Sequence, residues 1–147
     1  FDKTADAKFK AFGITVEEAF KNSLEAMVSI MFDIDQITDY DMELEEREII
    51  VEADNYETLL YKFLEEAIFL LSSEFFVGLA EKVVIKKSSD LNNETGEPFY
   101  LLKAKLVGSQ SINFESHGEV KAVTYNEMHV KFDKDSQQYE TQVVVDL

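Results

Sequence analysis

The sequence predicts an α+β fold, with two helices packed on a largely antiparallel β-sheet in a single compact domain over residues 1–147. Three observations support this prediction. The chain is long enough to bury one sizeable core, and 46% of its residues are hydrophobic. Two segments in the first half repeat their apolar residues with a helical period. The second half consists mainly of short β-rich runs between polar turns, and such segregation is typical of α+β proteins rather than of doubly wound parallel sheets.

The chain should open with a strand and a helix. Residues 5–11 alternate polar with small or apolar side chains, which is the period of a half-buried strand, so Asp6 should point away from the core. Thr15, followed three residues later by Glu18, forms a capping box, and apolar residues then recur every three or four positions. We therefore expect a helix that ends at about Phe32.

A second strand and a second helix should follow. Residues 44–53 alternate apolar and charged side chains as a strand does, although an acidic stretch precedes them. Asp54 and Asn55 are both suitable N-caps for the helix. Its apolar face, which recurs with a clear helical period, comprises Leu60, Phe63, Leu64, Ala67, Ile68 and Leu71.

The rest of the chain should form strands separated by polar turns. The β-rich runs are residues 83–86, 99–107, 120–124, 128–132 and 139–147. The segment Asp133-Lys134-Asp135-Ser136 is suited to a hairpin connection between the last two runs. Residues 91–98, which include Pro98, are predicted to be a loop.

Composition argues against several classes of function. The 14 basic residues against 30 acidic ones give a net charge of -16, which disfavours strong direct nucleic-acid binding because a phosphate backbone would be repelled. Without cysteines, a metal would need oxygen or imidazole ligands, which favours Ca²⁺, Mg²⁺ or Mn²⁺. We expect a cytoplasmic protein that does not bind membranes, because no apolar run approaches the length of about 20 residues that spans a bilayer and the first residues do not resemble a secretory signal.

Catalytic arrangements find little support in the sequence. It contains no Gly-x-Ser-x-Gly elbow, phosphate-binding glycine loop or His-Glu-x-x-His motif. His117 and His129 are predicted to be exposed surface residues, in a loop and on the polar face of a strand. Glu65 and Glu66 are adjacent on a helix, where side chains diverge by about 100°, so they should not form an acid/base pair. The acidic stretch from Asp33 lacks the Gly and the bidentate Glu of a calcium loop, which indicates a solvated connection.

The two ends of the chain hold the most informative carboxylates. Asp6 lies between two alanines in the first predicted strand, and Asp146 with Leu147 ends a strongly apolar strand. If these strands pair, the two side chains and the terminal carboxylate of Leu147 would converge and would repel one another unless a cation lay between them. If they do not pair, Asp6 is an exposed strand residue and Asp146 belongs to a frayed terminus. Composition and periodicity leave both alternatives open.

Several segments, taken together, resemble the archease family. They are Thr4-Ala5-Asp6-Ala7, Thr15-Val16-Glu17-Glu18-Ala19-Phe20, Leu59-Leu60-Tyr61, Leu64-Glu65-Glu66, Lys121-Ala122-Val123-Thr124-Tyr125 and Val145-Asp146-Leu147. They occur in the family's order over nearly the whole chain. The strand motif, the Lys-Ala-Val-Thr-Tyr motif and the terminus of Asp plus an aliphatic residue are specific in combination.

The resemblance implies a non-enzymatic accessory protein of the RNA-splicing ligase that joins tRNA exons. Such a protein would promote guanylylation of the ligase and sustain multiple turnover. The resemblance also implies a divalent metal, most commonly Ca²⁺, held by the strand aspartate and the C-terminal pair, which are Asp6, Asp146 and Leu147 here. By the same analogy, Lys121 is a candidate to pair with a site carboxylate or to contact the ligase.

The chain departs from the family pattern at Lys3 and Asn126, where many relatives have His. A protonated lysine cannot coordinate a cation, so Lys3 near the site would weaken metal affinity or partly replace the charge of the metal. Two other functions stay open. A small metal-dependent phosphohydrolase would need a second metal or a positioned base, and an acidic chaperone-like binder of a basic client would bind in a salt-sensitive manner.

Overall fold

The computed structural model describes residues 5–35, 43–87 and 99–147, and this part of the chain contains two helices and six strands. In chain order these elements are β1 (Asp6–Gly13), α1 (Val16–Met31), β2 (Glu45–Ala53), α2 (Tyr56–Glu74), β3 (Phe76–Lys87), β4 (Tyr100–Gln110), β5 (Ala122–Asp133) and β6 (Gln138–Asp146). A short 3-10 helix, Ser111–Asn113, follows β4. The predicted α+β class is confirmed.

The strands form two antiparallel sheets of three strands each. The first sheet has the order β1-β6-β5, so the first and last strands of the chain are neighbours. The second sheet has the order β2-β4-β3. The predicted antiparallel pairing is confirmed, whereas the division into two sheets was not predicted, because strand periodicity does not specify which strands pair.

Both helices contact both sheets and share one core with them. Helix α1 contacts β1 and β3, whereas α2 contacts β2 and β5, so each helix lies against one edge strand of each sheet. The helices meet where the rings of Phe20 and Phe63 stack at 6.3 Å. The fully buried side chains of this core include Phe20, Leu24, Met27, Phe63, Leu102 and Val143.

The helix starts follow the capping signals of the sequence. Thr15 is the N-cap of α1, and its side chain accepts a hydrogen bond from the Glu18 N–H at 3.1 Å. Of the two candidates for α2, the structure selects Asn55, whose side-chain oxygen accepts from the Thr58 N–H at 2.7 Å. Helix α1 ends at Met31, with Phe32 as its C-cap, as predicted.

Two strand predictions need correction. The predicted strand 83–86 is the end of a longer strand, because β3 begins at Phe76, directly after Phe75 closes α2 in the left-handed conformation with φ 56. Residues 76–78 are all buried, and such a run lacks the alternation that distinguishes a strand from a helix. The predicted strands 120–124 and 128–132 are one strand, β5, with an irregular segment between Thr124 and His129.

The predicted hairpin after β5 is confirmed. Residues 134–137 form the turn between β5 and β6, and an oxygen of the Asp133 side chain accepts from the Asp135 N–H at 3.0 Å. The predicted loop at residues 91–98, most of the acidic stretch after Asp33, and Lys3 lie outside the described residues. Neither described helix is both long and apolar enough to cross a membrane.

Candidate metal centre and its supports

The two terminal strands pair in the register that a shared site requires. Asp6 on β1 lies directly opposite Asp146 on β6. The Leu147 N–H donates to the Ala5 carbonyl oxygen at 2.9 Å, which continues the pairing to the last residue. Directly opposed residues in a sheet point to the same face, so the Asp6 and Asp146 carboxylates are neighbours. The alternative in which Asp146 belongs to a frayed terminus is therefore wrong.

The hydrogen-bond pattern places these two aspartates at a close-approach position. Because Ala5 and Leu147 are hydrogen-bonded to each other, the adjacent Asp6–Asp146 pair occupies the non-hydrogen-bonded position of the antiparallel ladder. The Cβ atoms of such pairs are about 4.5–5.5 Å apart. Asp6 is exposed and Asp146 is half-buried. Two negative charges directly opposite each other destabilise the pair unless a cation offsets them.

The donor set fits a hard cation. Carboxylate oxygens are the ligands that Ca²⁺ and Mg²⁺ take, and the side chains of Asp6 and Asp146 supply two such groups, with Leu147 next to them in the sheet. Among the described residues, no group of three or more His, Cys, Asp or Glu side chains could hold a metal. The two aspartates alone supply too few oxygens for a cation that takes six or more, so further ligands would have to come from elsewhere, such as water or a partner.

The Lys-Ala-Val-Thr-Tyr motif lies beside the C-terminal pair. The Lys121 N–H donates to the Asp146 carbonyl oxygen at 2.8 Å, and Ala122 is opposite Asp146 in the β5–β6 register. The Lys121 side chain is exposed, and no ion pair links its amine to a carboxylate in the described part of the chain. Its backbone hydrogen bond therefore holds Lys121 next to Asp146.

Helix α2 holds this motif in place through Glu65 and Tyr61. An oxygen of the Glu65 side chain accepts from the Val123 N–H at 3.0 Å. The ring of Tyr61 stacks on that of Tyr125, with 4.1 Å between centroids and 15° between planes. Burial, followed by the nearby carboxylate of Glu65, raises the pKa of the Tyr61 phenol above its ordinary value. These contacts fix the strand that runs beside Asp146.

A third residue on the same face of α2 extends this support. An oxygen of the Glu57 side chain accepts from the Val130 N–H at 3.3 Å. Glu57, Tyr61 and Glu65 recur every four residues, so they share one face of the helix. The sequence pattern did not predict this positioning role of Glu65, which had been weighed only as half of an acid/base pair with Glu66. The sequence signal that could have indicated this role is the four-residue spacing of these three polar side chains. A helix with such a polar row can supply acceptors to the outer N–H groups of an edge strand.

A separate charged cluster surrounds Glu140 on the same face of β6 as Asp146, about 20 Å along the strand. One carboxylate oxygen of Glu140 lies 2.7 Å from His129 Nε2, 3.4 Å from Lys131 Nζ and 3.9 Å from Lys10 Nζ. The hydrogen bond from His129 holds the pKa of the Glu140 carboxyl below its ordinary value, against the effect of burial, and the two lysines lower this pKa further.

The environment of His129 differs from its prediction. Its side chain is 30% exposed and is hydrogen-bonded to Glu140, so its description as an exposed surface residue is wrong. The alternation of polar and apolar residues predicted the correct face of the strand for His129, but it could not predict that Glu140 lies diagonally across on β6. His117 is exposed, as predicted. Asn126 is also exposed, and its N–H donates to the Thr124 hydroxyl at 3.3 Å.

Comparisons with known proteins cover the whole length of the chain. The archease protein family matches residues 1–147. Protein archease of Methanosarcina mazei is 34% identical over 151 aligned residues, covering 99% of this chain and 92% of the relative. A protein archease-like of Drosophila melanogaster is 32% identical, covering 99% and 87%. The solution structure of Methanobacterium thermoautotrophicum protein 1598 matches with a TM-score of 0.72 and 29% identity, covering 100% of this chain and 96% of that one. The chain therefore belongs to the archease family.

Proposed function

We propose that this chain is a non-enzymatic accessory protein that activates the RNA-splicing ligase joining tRNA exons, by promoting guanylylation of the ligase and multiple turnover. The observation that carries the proposal is the register that sets Asp6 opposite Asp146 beside the chain terminus, in a member of the archease family. The proposed location is the cytoplasm. The net charge of -16 would favour approach to a basic surface of the ligase.

The proposed metal ligands are the side chains of Asp6 and Asp146 and the terminal carboxylate of Leu147. Ca²⁺ suits these oxygen groups, with Mg²⁺ or Mn²⁺ as alternatives. When bound, the ion would offset the repulsion among the three carboxylates and leave coordination positions for oxygen groups of the partner. Lys121 would present its amine next to these groups, where it can meet an anionic group of the ligase. The predicted effect of Lys3 on metal affinity belongs to the same proposal.

A phosphohydrolase is less well supported. Such an enzyme would need a second metal or a positioned base near the first metal. Of the two described histidines, His129 is nearer in sequence to the C-terminal pair. It is opposite Gln142 on β6, four residues along the strand from Asp146. This imidazole is engaged by Glu140 instead. His129 is therefore not placed beside Asp6 and Asp146 as a base that could activate water.

The proposal is tested by adding the protein to its cognate ligase and measuring guanylylation under multiple-turnover conditions. The wild-type protein should stimulate the ligase. Asp6→Asn and Asp146→Asn should lose this stimulation and should lose the Ca²⁺-binding heat in calorimetry. Glu25→Gln, which removes the same charge from an exposed position on α1, should keep both. Circular dichroism should show that all three variants are folded.

Three results would lead to different conclusions. Normal stimulation by both aspartate variants would reject the metal-site role, and a wild-type protein that leaves the ligase unaffected would reject the accessory function. Hydrolysis of a phosphate ester by the protein without any ligase would favour the hydrolase. Salt-sensitive binding of a basic client that is indifferent to Asp6 and Asp146 would favour the chaperone-like alternative.

A further inference from the structure

The outer face of the β2-β4-β3 sheet carries an ordered array of lysine and aliphatic side chains. The strand registers place three rows across this face, which are Glu48–Lys105–Lys82, Ile50–Lys103–Val84 and Glu52–Leu101–Lys86. Of the intervening residues, Ile49, Leu102 and Ala104 are buried in the core, and the others, Val51, Val83 and Ile85, are partly buried against it. Since side chains alternate between faces, the three rows face outward, and we call them the lysine face.

The lysine face concentrates positive charge in a strongly acidic protein. Lys105 and Lys82 are directly opposite each other, an arrangement of like charges that destabilises a strand pair. Lys105 is paired with Glu46 at 3.0 Å and Glu81 at 3.7 Å. For Lys82, Lys86 and Lys103, the described part of the chain shows no ion pair. Their charges are therefore available to an external anion.

Protection of a sheet edge does not account for all of these lysines. Lysines on an edge strand deter unwanted pairing with another strand, and this explains Lys82 and Lys86 on β3. Lys103 and Lys105 instead lie on β4, the central strand, which is paired on both sides. A central strand has no free edge to protect, so these two lysines need a different explanation.

The aliphatic residues between the lysines indicate the class of partner. Ile50 is 53% exposed, and Val84 and Leu101 are partly exposed. A shallow depression of about 180 Å³ lies among the lysines, lined by Glu48, Lys82, Val84, Lys103, Ala104 and Lys105. A phosphate backbone would gain nothing from the aliphatic groups, whereas an extended polypeptide can present both carboxylates and apolar side chains on one face, at every second residue. The rows are about 7 Å apart, so about five extended residues would cross all three.

We propose that the lysine face docks an acidic segment of a partner protein in which apolar residues lie between the carboxylates. The face belongs to the sheet that does not carry Asp6 and Asp146. The proposal therefore does not depend on the metal centre or on the role at the ligase. It assigns a second binding surface to the chain, with charge opposite to the acidic character of the whole molecule.

The test uses the full chain labelled with ¹⁵N and the synthetic peptide Glu-Ser-Leu-Ser-Glu-Ser-Leu-Ser, whose Glu and Leu side chains share one face when the peptide is extended. NMR shifts on titration should map to the lysine face. The double variant Lys82→Glu/Lys103→Glu should bind at least about tenfold more weakly, because two charge pairs are lost and two repulsions are added. The matched control, Lys21→Glu/Lys134→Glu, makes the same change in net charge at exposed positions elsewhere and should change affinity by less than about twofold. A peptide with Ser in place of Leu should also bind more weakly.

Several results would overturn the proposal. One is the absence of NMR shifts on the lysine face at millimolar peptide. Another is an equal loss of peptide affinity in the two double variants, which would indicate that net charge alone determines binding. Tighter binding of poly(U) RNA than of the peptide would assign the face to nucleic acid. A concentration-dependent doubling of mass in sedimentation, abolished by Lys82→Glu/Lys103→Glu but not by the control, would assign it to a second copy of the chain. Equal binding of the Leu and Ser peptides would remove the role of the aliphatic residues.

Discussion

Glu140→Gln removes the negative charge at the centre of the cluster formed with His129, Lys131 and Lys10, while it keeps the shape of the side chain. The Glu140 side chain is only 12% exposed, so its hydrogen bond to His129 is shielded from water. A hydrogen bond to a charged group contributes about 1.5–3 kcal/mol to stability. The two lysine side chains are 59% and 49% exposed, so solvent screens their contribution. We expect the substitution to lower the free energy of unfolding by about 2 kcal/mol near pH 7.

The same prediction has a definite pH dependence. The pKa of Glu140 in the folded protein lies below its ordinary value of 4.5, so ionised Glu140 stabilises the fold above that value. This stabilisation is lost as the pH falls through the folded-state pKa. Glutamine does not titrate, so the difference in stability between wild type and Glu140→Gln should be largest near pH 7 and should shrink below about pH 4.5.

Urea unfolding at a series of pH values, followed by circular dichroism, measures this difference. Glu127→Gln is the matched control, because Glu127 pairs with Lys8 at 3.2 Å but is 62% exposed. Its effect should stay within about 0.5 kcal/mol at every pH. An unchanged stability of Glu140→Gln near pH 7, or a deficit that persists unchanged in acid, would refute the assignment of an electrostatic role to this cluster.

Three further predictions concern other parts of the molecule. Glu65→Ala removes the acceptor of the Val123 N–H at the edge of β5 and should lower the free energy of unfolding in urea by about 1–2 kcal/mol. Glu65→Gln keeps an accepting amide oxygen and should lower it by less. Gly108→Ala should lower the free energy of unfolding by at least about 3 kcal/mol or prevent folding, because the new Cβ would collide with the Val77 carbonyl. The control Gly118→Ala adds a Cβ in open space and should have the melting temperature of the wild type. Burial raises the pKa of Tyr56 to about 12, so in spectrophotometric titration the difference between wild type and Tyr56→Phe should appear near that pH, and a transition near 10 would contradict it.

Local signals in the sequence predicted the elements whose structure depends on nearby residues. The Thr15 capping box predicted the start of α1 because the cap and the Glu18 N–H that donates to it are only three residues apart. Alternation predicted β1 and the outward side of Asp6 for the same reason. The start of β3 at Phe76 was missed, since a run buried on both sides has no alternation to detect.

Features that depend on pairing between distant segments were beyond such reasoning. The Asp6–Asp146 register joins residues that are far apart in the sequence. Periodicity could predict their proximity only on the assumption that the first and last strands pair. The hydrogen bond from the Val123 N–H to Glu65 likewise spans 58 positions. The family resemblance supplied the candidate ligands without their geometry. The structure supplies the register and reveals the helix residues that maintain it.

The candidate metal centre depends on both helices, although neither helix contributes a proposed ligand. Its three strands lie in the order β1-β6-β5, with Asp146 between Asp6 on one side and the Lys121 segment on the other. At the outer edge of β1, the Asn22 side chain of α1 donates to the Phe12 carbonyl at 2.7 Å. At the opposite edge, Glu65 of α2 accepts from β5. Each helix thus satisfies a backbone group that the sheet itself leaves free, and this limits the movement of the outer strands relative to β6. The register that sets Asp6 opposite Asp146 is therefore supported by the packing of both helices against the outer strands of this sheet.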